Sequence, residues 1–223
     1  MSLTYGPSIV MNGLVFYVDA ANTRSYPGSG TAWRDLSGNS NTGTLTNGPT
    51  FSSANGGVIT FDGTDDFIDT SNNVGLLPTA GLTITCWIKT SVADKFLVDK
   101  ANTALTSGYL LAGTGLGTCV FYINSINVAS SATINSNTWK QITAVWVPST
   151  ALRIYINGDL DNSNTTSVPA SITDPSVNLW IGRRRTVADY WNGNISSVSI
   201  YNLAFNADQI RQNFNALRGR YGV

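Results

Sequence analysis

Residues 139–159 read WKQITAVWVPSTALRIYINGD. From Trp139 to Val147, and again from Leu152 to Ile156, the chain is rich in β-branched, aliphatic and aromatic residues. Pro148-Ser149-Thr150 between them has turn chemistry, so the two runs read as an antiparallel strand pair. Asn157-Gly158 marks the next tight turn, because both residues tolerate positive φ. Trp139 and Trp146 begin and occupy an apolar strand, which assigns them to packing.

The same grammar extends outward in both directions. Leu82–Lys89 alternates Leu82, Ile84, Cys86 and Ile88 against Thr83, Thr85, Trp87 and Lys89, the period-two signature of a strand. Further strands are expected at Leu14–Asp19, Val58–Phe61, Phe67–Thr70, Phe96–Val98, Tyr109–Ala112, Cys119–Ile123, Leu179–Gly182 and Ile195–Tyr201. Val58–Phe61 and Phe67–Thr70 flank Asp62-Gly63 and read as a hairpin. The polar stretch from Ala20 to Asn47 reads as loop. In Ile195–Ile200 the apolar phase slips once, which predicts a β-bulge around Ser196-Ser197. Helical segments do not alternate with these strands, so a βαβ sheet is disfavoured. The economical fold is an all-β, antiparallel sandwich of two sheets, each burying one face against the other.

One short helix is expected near the C-terminus. Asn206 is a good N-cap, Gln209 completes a capping box, and Asp208 suits the positive end of the helix dipole. Ile210, Phe214 and Leu217 share one face, and Gly219 suits the stop. The helix is expected to cap one end of the sandwich. The chain then divides into an N-terminal arm (1–12), one domain (13–217) and a short tail (218–223).

Composition narrows the chemistry. The chain has 223 residues, is 42% hydrophobic and 12% charged, and balances 13 bases against 13 acids. All the acids are aspartates; glutamate and histidine are absent. A histidine general base, a Ser-His-Asp or Cys-His arrangement, a histidine zinc ligand and a glutamate-pair glycosidase are therefore excluded. Zero net charge argues against a nucleic-acid footprint. No apolar run approaches the roughly 20 residues of a membrane helix, so no membrane partner is expected. Cys86 and Cys119 lie in strand-like runs and read as small buried hydrophobes; the sequence leaves open whether they pair. The N-terminus lacks a secretory signal peptide, and the Met1 start suggests a protein made in the cytoplasm.

Taken in order, GLVFYVDAANTRSYPGSGTAWRDLSGNSNTGTL (13–45), FDGTDDFID (61–69), LTITCWIK (82–89), the 139–159 stretch and LWIGRRRTVADYWNGNISSVSIYNLAFNADQI (179–210) resemble the laminin-G-like, concanavalin A-like jelly-roll superfamily. The segments 26–49 and 206–223 look like those of domains in tailed-bacteriophage virion proteins. That resemblance implies a jelly roll in a non-enzymatic structural component (capsid decoration, neck, tail or fibre), assembled in the host cytoplasm. It implies other virion proteins, or copies of the same chain in a homo-oligomer, as partners, with the arm and tail docking on neighbours. A carbohydrate-binding module that recognises a cell-surface glycan is the alternative, and a glycoside hydrolase using an aspartate pair is a distant third.

Candidate sites follow from local chemistry. Arg183, Arg184 and Arg185, with Asp189, Tyr190 and Trp191, combine guanidinium groups with aromatic rings, a set suited to sugar stacking or a protein hot spot. Asp189 pairing one of the arginines in an ordinary polar loop is the plainer reading. Arg24 and Tyr26, beside Trp33, pose the same choice. Asp35, Ser37, Asn39 and Asn41 place side-chain oxygens at alternate positions, as in a calcium loop or a self-bonded Asx turn. Calcium is the one cofactor the sequence raises. Asp62, Asp65, Asp66 and Asp69 form the densest acidic group and read as solvated turn residues.

Overall fold

The computed structural model describes residues 7–70, 72–92, 95–185 and 189–223, with Val74 by its backbone alone. In chain order the strands begin with β1 (Leu14–Asp19), β2 (Ala32–Trp33), β3 (Gly43–Thr46), β4 (Thr50–Ser52), β5 (Val58–Asp62), β6 (Phe67–Asp69), β7 (Leu82–Lys89) and β8 (Phe96–Ala101). They continue with β9 (Gly108–Gly113), β10 (Cys119–Ile123), β11 (Ile126–Ala129), β12 (Lys140–Val147), β13 (Ala151–Ile156), β14 (Asp159–Asn164), β15 (Trp180–Ile181) and β16 (Asn192–Tyr201). A single α-helix, α1 (Ala207–Leu217), follows among the described residues.

The strands form two antiparallel sheets, as the sequence predicts. The first runs β14-β13-β12-β7-β16-β5-β4, with β1 also pairing β16; the second runs β11-β10-β9-β8-β15-β6-β3-β2. The stretch 139–159 supplies β12 and β13, paired from Ile142 opposite Ile156 to Val147 opposite Ala151. Asn157 and Gly158 both take positive φ and turn the chain into β14. The alternation in β7 sends Ile84, Cys86 and Ile88 into the space between the sheets, where they meet Leu111, Phe121 and Ile181 from the other side. The expected bulge is present: the β16–β7 register shifts between Ile195 and Ser197. Cys86 and Cys119 are buried free thiols in opposite sheets.

Several expectations are corrected. Val58–Phe61 and Phe67–Thr70 do not form a hairpin, because β5 lies in the first sheet and β6 in the second. Asp62–Asp66 is the corner between them: the Asp66 carboxylate accepts the Asp62 amide (3.0 Å) and Asp62 accepts the Thr64 amide (2.7 Å). The polar stretch Ala20–Asn47 is not all loop, since it contributes β2 and β3 to the edge of the second sheet. The helix does not cap an end. It lies across the outward face of the first sheet, where Ile210 packs with Val145, Tyr155 and Tyr201, and Phe214 with Trp87 and Trp139.

The capping box at Asn206 and Gln209 forms, with both hydrogen bonds present. Gly219 does not stop the chain; a 3-10 turn over Arg218–Arg220 continues the helix and delivers Tyr221 to Trp87 and Trp139. That side of the tail is therefore occupied by its own sheet. Of the arm, residues 1–6 lie outside the described residues, while Ser8 and Val10 are tied to the helix by Gln212 and Asn213. No described helix is long and apolar enough to cross a membrane.

Candidate functional site

Helix, arm and tail pack on the outward face of the first sheet, whereas the outward face of the second carries no helix among the described residues. Register decides what stands on it. Asp99 opposes Trp180, Trp180 opposes Asp69, and Asp69 opposes Thr44, so four strands place these side chains in one row. The neighbouring row, Val98, Ile181, Ile68 and Leu45, points inward and is buried. This is the period-two rule acting across β8, β15, β6 and β3. Asn178, two positions before Trp180, and Phe67, two before Asp69, extend the outward set.

A polar groove of about 430 Å3 runs along this face, lined by Thr42, Thr44, Thr46, Asp69, Thr70 and Asn178. Asn178 donates its amide to Asp69 (2.9 Å). Beside the groove, Phe67 and Trp180 meet edge to face, with centroids 5.6 Å apart. The Arg183 guanidinium lies 4.7 Å from the Phe67 ring centre, 4.5 Å from Trp180 and 5.3 Å from Tyr190. Arg185 lies 3.9 Å from Trp180 and also donates to the Asn178 carbonyl. Arg184 lies 5.2 Å from Phe96, over the apolar end of the same face. Cation–π contact thus seats three successive arginines on the sheet, each half-buried.

Asp99 is 2% exposed; burial raises its pKa, although its oxygens accept the amides of Ala101 (2.8 Å) and Arg185 (3.2 Å). Asp69 and Asp99 stand on either side of Trp180, two inter-strand steps or roughly 9.6 Å apart. An inverting glycosidase needs its two carboxyl groups about 6.5–9.5 Å apart, with open room for a water between them. Here the Trp180 indole stands between the carboxylates and Arg185 lies against it.

The sequence-predicted residues divide. Arg183, Arg184, Arg185 and Tyr190 come together on the open face. Trp191 does not: it is fully buried between the sheets, because Tyr190 and Trp191 are consecutive and point to opposite sides. Asp189 pairs with Lys95 (3.5 Å) rather than with one of the arginines. Tyr26 is buried, donating to the Gly30 carbonyl (2.8 Å) and packing on Phe51, so it holds a loop and offers no ligand surface. Arg24 is exposed beside a separate cleft.

Asp35, Ser37, Asn39 and Asn41 do converge. The Asp35 carboxylate accepts the amides of Tyr17, Ser37 and Asn41 (each 2.9 Å) and the Ser37 hydroxyl (2.8 Å). Asn41 donates to the Val15 carbonyl (2.9 Å), and Asn39 reaches the same oxygen. The Asp35 oxygens are engaged in the manner of an Asx turn, and calcium at Asp35 would have to displace these donors, although the buried Asn41 Oδ1 accepts no hydrogen bond among the described residues. Asp62, Asp65 and Asp66 bring carboxylate oxygens within 4.8 Å of one another, whereas Asp69 stands apart on the sheet. Burial raises the Asp66 pKa, and the Thr64 amide lowers that of Asp62.

The sequence does not single out Thr44, Asn178 or the neighbouring Trp180, and Asp69, read there as a solvated turn acid, stands on β6 in the groove wall. Each lies in a strand too short, or a segment too polar, to show its period alone.

A two-sheet antiparallel sandwich of this topology defines a lectin-like fold. Residues 62–211 match the concanavalin A-like lectin/glucanases superfamily, and the chain belongs to that family. No curated protein matches the chain. Among solved structures, it is similar to the binding domain of Paraclostridial Mosquitocidal Protein 1 (TM-score 0.74, 18% identity, 92% of this chain and 52% of that one). The binding domain of botulinum neurotoxin DC in complex with SialylT is similar to the same degree (TM-score 0.74, 15% identity, 93% and 52%). The same toxin domain in complex with rat synaptotagmin II gives a TM-score of 0.70 at 15% identity, covering 93% and 52%. The chain spans about half the length of these structures, and at such identities the likeness is one of fold.

Proposed function

We propose that the chain is a non-enzymatic adhesion module that binds a glycan on the outward face of its second sheet. The observation that carries this reading is the row Asp99–Trp180–Asp69–Thr44 beside the polar groove. A sugar needs hydrogen-bond partners for its hydroxyls and apolar surface for its ring faces. Asp69, Asn178 and the threonines supply the first, and the partly exposed Trp180, backed by Phe67, supplies the second. The solved structures similar in fold are binding domains, one in complex with SialylT and one with rat synaptotagmin II, and they support a contact function over a chemical one. The filled space between Asp69 and Asp99 supports the same choice.

The setting of this adhesion is proposed on narrower ground. A place on a tailed-phage particle, among virion proteins or in a homo-oligomer, rests on the resemblance of residues 26–49 and 206–223 alone.

A glycan array, probed with and without chelator, tests the function. Binding that disappears in Asp69→Ala and Trp180→Ala variants of unchanged fold is expected. Silence across the array, or signal untouched by either substitution, overturns the assignment. Loss of signal on chelation would show that an ion takes part.

A further inference from the structure

A second cleft, of about 630 Å3, differs from the groove in lining and chemistry. Three separate segments build it: the arm (Pro7, Ser8, Ile9, Met11), the region from Tyr17 to Gly38, and the end of α1 (Ala216, Leu217). They are held together. Val10 donates its amide to Asn213 (2.7 Å), Gln212 donates to the Ser8 carbonyl (2.8 Å), and Leu36 donates to the Tyr17 carbonyl (2.7 Å). The cleft is a fixed part of the fold, with a size in the range of small-ligand sites, roughly 300–1,000 Å3.

Its lining has two characters. Ile9, Met11, Leu36 and Leu217 give aliphatic surface, and Met11 is 61% exposed, an unusual state for so apolar a side chain. Arg24 and Arg34 supply charge. Both are exposed, and among the described residues neither guanidinium makes a hydrogen bond or ion pair. Both line the cleft, and the backbones that carry them are tied together: the Arg34 amide donates to the Ser25 carbonyl (2.8 Å) while the Ser25 hydroxyl donates to the Arg34 carbonyl (2.7 Å). The one carboxylate in the lining, Asp35, is already met by three amides and a hydroxyl. Two unpaired cations thus face a single carboxylate whose oxygens are engaged.

We infer that this cleft is a second binding site, which takes a single-chain amphiphilic anion: an alkyl chain ending in a carboxylate or phosphate. The alkyl part lies along Ile9, Met11, Leu36 and Leu217, and the anionic head meets Arg24 and Arg34. Guanidinium is the donor of choice for such heads, since its planar fork pairs with two oxygens at once. A neutral sugar gains little here, because most of the surface it would cover is aliphatic. The inference does not depend on the groove.

Titration calorimetry on the whole chain tests it, with decanoate below its micellar range, decanol as the neutral control, and vesicles of phosphatidylglycerol or phosphatidylcholine. Two variants on exposed positions leave the fold intact: the double substitution Arg24→Gln/Arg34→Gln, and Met11→Glu, which sets a carboxylate over the aliphatic wall. Saturable one-to-one decanoate binding, stronger than decanol, is expected to weaken roughly tenfold or more in the double variant and to vanish in Met11→Glu. Capture by phosphatidylglycerol but not phosphatidylcholine vesicles, with the same variant sensitivity, would identify a lipid headgroup as the source of the anion. Absence of saturable binding to decanoate and vesicles alike, or binding that survives both variants, overturns the site whatever the glycan array reports.

Discussion

The Tyr221 ring lies stacked on the Trp87 indole, with centroids 4.1 Å apart and planes 20° from parallel. Trp87 faces outward from β7 yet is fully buried, because Tyr221 covers one part of it and Phe214 (5.8 Å) another. The last residues of the chain are therefore part of the packing of the first sheet. Truncating this ring removes aromatic contact and uncovers an indole. Tyr221→Ala is expected to cost about 2–4 kcal/mol, lowering Tm by roughly 10 °C. Thermal unfolding followed by circular dichroism checks this; an unchanged Tm would mean the tail is dispensable.

Arg220 secures the same corner. Its guanidinium reaches both Asp19 oxygens (2.8 and 3.1 Å) and the Ser196 hydroxyl (2.9 Å), in a place where Asp19 is 8% exposed and Arg220 22%. A largely buried pair of this kind, with one guanidinium nitrogen shared between both carboxylate oxygens, exceeds an ordinary surface ion pair. A double-mutant cycle with Arg220→Gln and Asp19→Asn is expected to give a coupling of about 1–2 kcal/mol by urea unfolding. A coupling near zero would reduce the contact to a solvated one.

What the sequence discloses about this fold depends on burial. Strands with one or both faces against the core, such as β7, β12 and β13, write their period into their residues, and the turns Pro148-Ser149-Thr150 and Asn157-Gly158 punctuate them. β14 (DLDNSN) is an edge strand with no buried residue, so pairing alone defines it. β2 and β15 are two residues long and carry no period at all. The failure at Asp62-Gly63 has a different cause. A tight turn between two apolar runs looks the same whether the chain returns in one sheet or crosses to the other, and only partners distant in sequence, β16 for β5 and β15 for β6, decide. The site followed suit. The arginines were visible by composition, whereas Thr44, Asp69 and Trp180 become neighbours only through register.

Lys100 gives the stability a predictable pH dependence. Its ammonium is nearly inaccessible, donating to Asn72 (2.8 Å) and the Val177 carbonyl (2.7 Å), and burial lowers its pKa to about 8. The unfolded chain holds the same proton up to about pH 10.4, so between these values the unfolded state binds more protons. The cost of burying the charge is full below pH 8 and is relieved as pH rises through that window. Wild type should gain stability relative to Lys100→Gln between pH 8 and 10, an effect that cancels groups common to both. A difference independent of pH would show that Lys100 keeps an ordinary pKa.

The two cysteines should be silent in the native state. Burial raises the Cys119 thiol to about 11 and that of Cys86 further, and the thiolate is the reactive form. A disulfide-exchange reagent at pH 8 is expected to modify neither thiol until denaturant is added, and then both. Modification of the folded protein within minutes would reveal opening of the core near Cys86 or Cys119.

Arg183 distinguishes recognition by geometry from recognition by charge. Its guanidinium is seated against three rings, from Phe67, Trp180 and Tyr190, which fixes where its N–H edge points. A lysine there would keep the charge, but its ammonium presents neither a plane to lie on the rings nor a fork to hold two oxygens. If the open face binds a glycan by directed hydrogen bonds, Arg183→Lys should weaken binding roughly tenfold, while Tm falls by no more than a few degrees. Equal loss in Arg183→Lys and Arg183→Ala is expected on this account, measured by titration with the best array ligand. Full retention of affinity in the lysine variant would make the contribution of Arg183 electrostatic, and the ordered stack beneath it structural.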